Sequence, residues 1–425
     1  MSSPVKLTRP TEQVEGWIGD VPASWDFGLL KRFCSVTLGK MIPQVGDSDA
    51  PSGSPYLRAA HVQPLGRLWL EDIKLMQFSQ AEARRLSLAK GDVVIVEGGA
   101  GYGRAALLKT DLEGWGFQNS INRVRPIASG DGRYLNHLFS AIQGAGVFET
   151  LINTSTIPHL TAEKLEVVAV PWPPLDEQRQ IAEYLDRETG KIDELIAKQE
   201  QLVATLTERR HSFLDELVAK QTRGEGKGLT RVKNLYSVID QRTGSPNLPL
   251  LSVSIHYGVR VRGEMTEDAP KSSDLSQYKV VRSNDIVINR MRAFQGALGC
   301  SPTAGVVSPD YLVLRPKGSV DPNWLALVFR SKGFVGEMTS RLRGIGSTES
   351  GMIRTPRINV DDLGGIEIRV PALSEQIDLV KKFTADFEMN SAISDAASRM
   401  IELLRERRAA LISAAVTGKI DVRGL

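Results

Sequence analysis

Residues 174–218 read PLDEQRQIAEYLDRETGKIDELIAKQEQLVATLTERRHSFLDELV, and residues 372–416 read ALSEQIDLVKKFTADFEMNSAISDAASRMIELLRERRAALISAAV. Glu375-Gln376 follows Glu177-Gln178 by 198 residues, and Glu406-Arg407-Arg408 follows Glu208-Arg209-Arg210 by the same 198. A constant separation at both ends leaves no room for an insertion, so one element has been used twice. In the first copy Leu185, Ile192, Gln199, Leu206 and Phe213 recur at every seventh position, with Ile181, Leu195 and Leu202 as a companion row. In the second, Leu379, Phe383, Ile393, Met400, Leu404 and Leu411 carry the pattern. Sustained heptads predict helices of about 35–40 residues, roughly 50–60 Å long, each with a seam buried against another helix. The shared separation predicts that the two copies pair antiparallel. Asp176 and Ser374 are the expected N-caps, each behind prolines (Pro171, Pro173 and Pro174; Pro371) that stop the preceding strand.

Outward from the helices the match continues with slips. Lys31 and Ser35-Val36 answer Lys233 and Ser237-Val238, and Asp92-Val93-Val94-Ile95 answers Asp285-Ile286-Val287-Ile288. Arg125-Pro126 answers Arg315-Pro316, and Tyr134-Leu135 answers Trp324-Leu325. The drifting separations place length differences in loops, where insertions are tolerated. Strands are expected at Tyr56–Val62, Val93–Val96, Val124 onward and Val167–Val170, and again at Leu250–Ile255, Ile286–Ile288, Tyr311–Leu314 and Ile366–Val370. The expected fold is α/β (mixed α+β): two globular domains separated by two long antiparallel coiled-coil helices, related by a pseudo-twofold internal repeat. Its parts are an N-terminal arm (1–20), a first domain (21–173), a first spacer helix (174–222), a Gly-rich linker (223–228), a second domain (229–371), and a second spacer helix with the C-terminal tail (372–425).

Composition narrows the function. The 425 residues exceed one ordinary core, and 41% hydrophobic with 24% charged residues is the balance of a folded chain. Fifty-three basic against 50 acidic residues, a net +3, excludes a polybasic protein but not a local basic face. Two cysteines, Cys34 and Cys300, form no disulfide framework and no CxxC pair. No apolar run is long enough for a membrane span, and Met1–Pro10 lacks a signal-peptide core. The expectation is a cytoplasmic protein with no membrane partner.

Four features resemble the specificity subunits of type I restriction–modification systems. They are the leader Trp17-Ile18-Gly19-Asp20-Val21-Pro22-Ala23-Ser24-Trp25, and the Pro-Leu-x-Glu-Gln start of the long helix, intact at Pro174–Gln178 and nearly so at Ala372–Gln376. The others are the Glu-Arg-Arg exit with Ala414–Val422 at the C-terminus, and Asp285–Ala297 in the second domain. The leader has no counterpart before Leu229, and the first helix exits through Ala219-Lys220-Gln221-Thr222 rather than Thr-Gly-Lys-Ile. The resemblance implies two target recognition domains, each reading half of an interrupted, asymmetric site in double-stranded DNA. It also implies a subunit without catalysis of its own, whose helices dock adenine methyltransferase subunits and, through them, restriction/translocase subunits. S-adenosylmethionine and ATP would then be bound by those partners and no cofactor by this chain.

Two motifs suggest enzymes instead. Glu97–Gly103 (EGGAGYG) follows an apolar strand, as in the glycine-rich turn of S-adenosylmethionine-dependent methyltransferases, and Asp321-Pro322-Asn323-Trp324 resembles an adenine methyltransferase loop. The repeat argues against both. The counterpart Arg290–Gly296 keeps only the last glycine, Arg104–Thr110 leaves too little room for a following helix, and Asp-Pro-Asn-Trp aligns with a pre-helix turn. There is no Gly-Lys-Ser/Thr for an ATP motor, and the five histidines (His61, His137, His159, His211, His256) form no metal-binding spacing. A self-contained DNA methyltransferase and a coiled-coil protein scaffold are the competing readings.

Base reading requires polar side chains on loops, and phosphate positioning requires cations. The candidates in the first domain are Arg58, Tyr102 and Arg104, with Lys109 nearby. In the second they are Asn289, Arg290, Arg292 and Gln295 on one loop, and Arg341, Arg343 and Arg354 on a second basic stretch that ends at Arg357. For the helix seam and subunit docking the candidates are Leu185, Ile192, Leu206, Phe213, Phe383, Ile393, Leu404 and Leu411. No metal site is expected.

Overall fold

The computed structural model describes residues 15–19, 21–41, 53–127, 130–152, 158–219, 228–242, 248–255, 258–264, 275–341 and 357–422. Most of the N-terminal arm, the linker except Gly228, His256, Arg343 and Arg354 lie outside the described residues. The chain divides into two compact units, Met1–Gln199 with Arg399–Leu425, and Glu200–Ser398. Each unit therefore holds one α/β domain together with part of each long helix.

In the first unit a four-stranded antiparallel sheet runs in the order Cys34–Leu38, Ile121–Pro126, Val93–Val96, Ala105–Leu107. The second unit repeats it as Tyr236–Ile239, Leu312–Pro316, Ile286–Ile288, Leu298–Cys300. The continuous apolar runs VVIV and IVI are buried on both faces. Val93 and Ile95 join one core while Val94 and Val96 join another, as alternation along a strand requires. Ile286 and Ile288 part from Val287 in the same way. A two-stranded ribbon closes each domain. Asp26–Leu29 pairs with Ala169–Trp172, and Leu229–Arg231 pairs with Glu367–Arg369, so the strand before each long helix is tied to the strand that opens the domain. The expected strand at Tyr56–Val62 is broken instead into Ser54–Leu57 and Val62–Gln63, because a 3-10 turn at Ala59–His61 intervenes.

Two further details repeat. A buried aspartate just before one strand of each sheet is stapled to an arginine on the adjacent strand: Arg125 donates to both oxygens of Asp92 at 2.6 and 2.7 Å, and Arg315 to both of Asp285 at 2.8 Å. Each aspartate also accepts a backbone N–H, from Ala89 and Arg282 respectively, at 2.8 Å. The pair raises the pKa of each arginine, the hydrogen bond to the aspartate being the main cause.

The second repeated detail explains the Glu-Gln signature. Gln178 is fully buried; its Oε1 accepts from the N–H of Asp131 at 2.9 Å and its Nε2 donates to Pro173 O at 2.8 Å. Gln376, also fully buried, accepts from the N–H of Asp321 at 2.8 Å and donates to Pro371 O at 2.9 Å. Asp131 and Asp321 are themselves the N-caps of the helices Gly132–Gly144 and Pro322–Arg330. One glutamine thus locks the start of each long helix to the start of its domain's main helix.

The long helices span Leu175–Leu217 (43 residues) and Leu373–Val416 (44 residues). Asp176 and Ser374 therefore fall within the first turn and are not N-caps. In the first unit Ile181 and Leu185 share a core with Ile412, Ala415 and Val416, while Ile192 and Ile196 cluster with Ile401 and Leu404. Rising numbers on one helix meet falling numbers on the other, so the pair is antiparallel. Arg408 crosses the seam to Asp193 at 2.9 and 3.3 Å. In the second unit Arg210 lies over the ring of Phe387 at 5.6 Å, Arg209 reaches Asp386 at 3.8 Å, and Leu214 and Val218 pack with Leu379, Val380 and Phe383.

The seam row Leu185, Ile192, Leu206 stands, and Phe213, Phe383 and Leu411 are half-buried along it. Of the companion row only Ile181 is buried. Leu195, Leu202, Ile393 and Met400 are exposed, Ile393 by 41%, and the inward positions are Thr189, Ile196 and Val203 on the first helix and Phe387, Ser394 and Ile401 on the second. Each inward position lies four residues after the seam row, not three. Where two apolar residues are adjacent (Leu195-Ile196, Leu202-Val203, Met400-Ile401), the alternating 4-3 step decides which is buried.

Candidate nucleic-acid interface

Each sheet ends in a hairpin whose loop carries the candidate readers. Val93–Val96 and Ala105–Leu107 flank the first loop, Ile286–Ile288 and Leu298–Cys300 the second, and the register of the two repeats is the same throughout: Ile95 answers Ile288, and Ala105 answers Leu298. Val96 N–H donates to Arg104 O at 2.9 Å, and its counterpart Asn289 donates to Ala297 O at 3.0 Å. Gly103 and Gly296 close the loops at φ +76° and +86°, a conformation that side chains resist, which explains why this glycine survives in both copies.

The glycine-rich stretch is thus the tip of an antiparallel hairpin. The strand that follows it pairs back on the strand before it, where a cofactor-binding turn would lead into a helix. Asp321-Pro322-Asn323-Trp324 is an N-cap, with Asp321 accepting from Trp324 N–H at 2.9 Å and Pro322 in the first helical turn. Neither motif has the geometry of a methyltransferase site. Among the described residues no group of three or more His, Cys, Asp or Glu side chains could hold a metal ion.

The candidate readers sort into engaged and available side chains. Arg58 is ion-paired with Asp72 and donates to the Asp72 carbonyl at 2.8 Å, so it ties a loop. Tyr102 donates its hydroxyl to Glu149 at 3.1 Å; burial, then this carboxylate, raises its pKa. Arg104 is half-buried and has no ion-pair partner among the described residues. In the second domain Asn289 uses its Oδ1 to accept Met291 N–H at 3.1 Å and its Nδ2 to reach the Tyr311 hydroxyl at 3.4 Å. Arg290 donates through Nε to Ile358 O and through Nη2 to Asn359 Oδ1, both at 3.0 Å. Arg292 and Gln295 are exposed, and Arg292 has no ion-pair partner among the described residues. Arg341 follows the helix Lys332–Ser340 and is paired with Glu337 at 3.3 Å. Arg357 faces Asp310 at 3.7 Å and Met291 Sδ at 3.7 Å.

Tyr311 was not singled out from sequence. Burial raises its pKa, while the charges of Arg292 and Arg262 act in the opposite direction. Its position opposite Asn289 follows from strand register, which residue type alone does not reveal.

The chain is thus an α/β domain built twice, each copy carrying a polar hairpin and leading into a long helix. Residues 22–204 match the type I restriction modification DNA specificity domain, and the family resemblance seen in the motifs stands on that match. Comparison with curated proteins gives no match. Among solved structures, a chain from work on complex assembly and conformational transition of the type I R-M system is 18% identical with a TM-score of 0.68, covering 94% of this chain and all of that one. The HsdS subunit from Thermoanaerobacter tengcongensis is 19% identical with a TM-score of 0.50, covering 96% of this chain and all of that one. At such identities the likeness establishes the fold: mixed α/β, with two globular domains and paired long helices.

Proposed function

We propose that the chain is the non-catalytic DNA sequence-recognition subunit of a type I restriction–modification complex, each domain reading one half of a bipartite, asymmetric target. One observation carries this reading. The framework is copied side chain for side chain, in the aspartate–arginine staples and the glutamine locks, whereas the hairpin loops share little beyond their closing glycine. Selection for two different readers on one scaffold leaves that pattern, and two different readers make an asymmetric site.

The partners in this reading are double-stranded DNA, adenine methyltransferase subunits and, through them, restriction/translocase subunits, with S-adenosylmethionine and ATP bound by those partners. Because the seam is filled by the helices themselves, docking falls to their outer flanks. Leu195, Met400 and Leu403 in the first unit and Leu202 and Ile393 in the second are exposed apolar side chains that a docked partner would bury. No helix among the described residues is long and apolar enough to cross a membrane, and the proposed location is the cytoplasm. The test is selection of bound sequences from a random duplex library by the complex with its methyltransferase subunits. Enrichment of two fixed half-sites at a fixed separation supports the proposal; enrichment of a single continuous motif, or none, contradicts it.

A further inference from the structure

We propose that Glu97 and Arg290, equivalent residues of the two hairpins, are positioning residues that set the pose of each reading loop without touching DNA. The inference rests on the DNA-reading function proposed above. Both residues open their loops, and both use the backbone carbonyl to anchor the chain that leads into the short helix before the closing strand. Leu160 N–H donates to Glu97 O at 2.7 Å, and Ile358 N–H donates to Arg290 O at 3.2 Å. Leu160 and Ile358 are themselves equivalent, each preceding by one residue the N-cap (Thr161, Asn359) of the helix Ala162–Glu166 or Val360–Gly364.

Both side chains then turn back onto the same segment. The Glu97 carboxylate meets His159 Nδ1 at 3.0 and 3.1 Å, and the Arg290 guanidinium is spent on Ile358 O and Asn359 Oδ1. The two residues have opposite charge. A carboxylate at a phosphate or at most base edges would repel, so direct DNA contact cannot be the role they share; holding the loop against the domain frame can. The side chains left to read in the second loop are Arg292 and Gln295, which are exposed.

The experiment uses the complex with its methyltransferase subunits and reads base preference at every target position for the wild type, Arg290→Ala, Arg290→Lys, Glu97→Ala and Arg292→Ala. Arg290→Ala should weaken discrimination roughly tenfold over several adjacent base pairs of one half-site, leaving the other half and the yield of complex unchanged. Lysine, which can still donate to Ile358 O, should restore part of it. Glu97→Ala should do the same to the opposite half. Arg292→Ala, removing a direct contact, should relax a single position. If Arg290→Ala does not assemble, Asn359→Ala, which removes the Nη2 acceptor and one hydrogen bond to Asp362 while leaving Arg290 Nε on Ile358 O, should broaden the same half-site more mildly. A single-position effect of Arg290→Ala, equal erosion of both halves, or no change overturns the assignment. A wild-type complex that selects no bipartite sequence overturns the underlying function, and the assignment with it.

Discussion

Gln376 Oε1 accepts the backbone N–H of Asp321 at 2.8 Å, so the first turn of the second long helix is fastened to the N-cap of its domain's main helix. The glutamine is fully buried, and its removal strands a buried N–H and the Pro371 carbonyl. Gln376→Ala should therefore cost about 1–3 kcal/mol, and Gln178→Ala a similar amount. Denaturant unfolding of each variant measures the loss; an unchanged midpoint would show that the lock is dispensable.

The seam gives a sharper contrast, because two residues on one helix differ in burial. Leu404 is 8% exposed and clusters with Ile192, Ile196 and Ile401, whereas Ile393 is 41% exposed. Leu404→Ala should cost about 2–4 kcal/mol, less than a fully sealed site would because the helix pair can close around it. Ile393→Ala should change stability by no more than about 0.5 kcal/mol. Thermal unfolding of the two variants checks the phase of the seam, and equal losses would contradict it.

Asp285 is buried and Arg315 is its bidentate partner. Asp285→Ala should destabilise the second domain by about 2–4 kcal/mol; a third of the Arg315 side chain remains in water, which holds the figure below that of a sealed pair. The double variant Asp285→Ala/Arg315→Ala should lose less than the two single losses added together. Strict additivity in the double-mutant cycle would mean that the staple contributes nothing as a pair.

Burial pushes the thiols of Cys34 and Cys300 up to about 12, with the Asp321 and Asp285 carboxylates adding to the effect at Cys300. A thiol whose folded pKa lies above its ordinary 9.0 contributes stability that is fully present below pH 9 and is lost as the pH rises toward 12. The melting temperature should therefore fall between pH 9 and pH 11 and fall less in a Cys34→Ala variant. At pH 8.5 iodoacetamide should label neither thiol in the folded protein within the time that labels both in denaturant, and Cys300, the less buried, should react first. Rapid native labelling of Cys34 would contradict its burial.

The duplication, the long helices and the glycine that closes each hairpin were legible in the sequence because each leaves a mark that survives divergence: a fixed separation, a period, or a backbone angle that excludes side chains. The companion row was not legible. Leu195 and Ile196 are equally apolar, and only the partner helix selects between them. Arg290 shows the same limit at the reading loop. An arginine beside Asn289 and Arg292 reads as part of a basic cluster, and its commitment to Ile358 O depends on a segment 68 residues away in the chain. The glutamine locks fall between these cases. The Glu-Gln signature was visible at both helix starts, but that its glutamine is an internal fastener emerges only when Asp131 and Asp321 are placed beside it.

The central claim, that one chain carries two different DNA readers, is tested most directly by mapping methylated adenines in cells that express this chain with its methyltransferase subunits. A single asymmetric motif with two fixed halves and a constant gap is the expected result, and exchange of residues 229–371 for the equivalent domain of another such subunit should replace one half while leaving the other intact. A palindromic or uninterrupted motif, or a domain exchange that alters both halves, would contradict it.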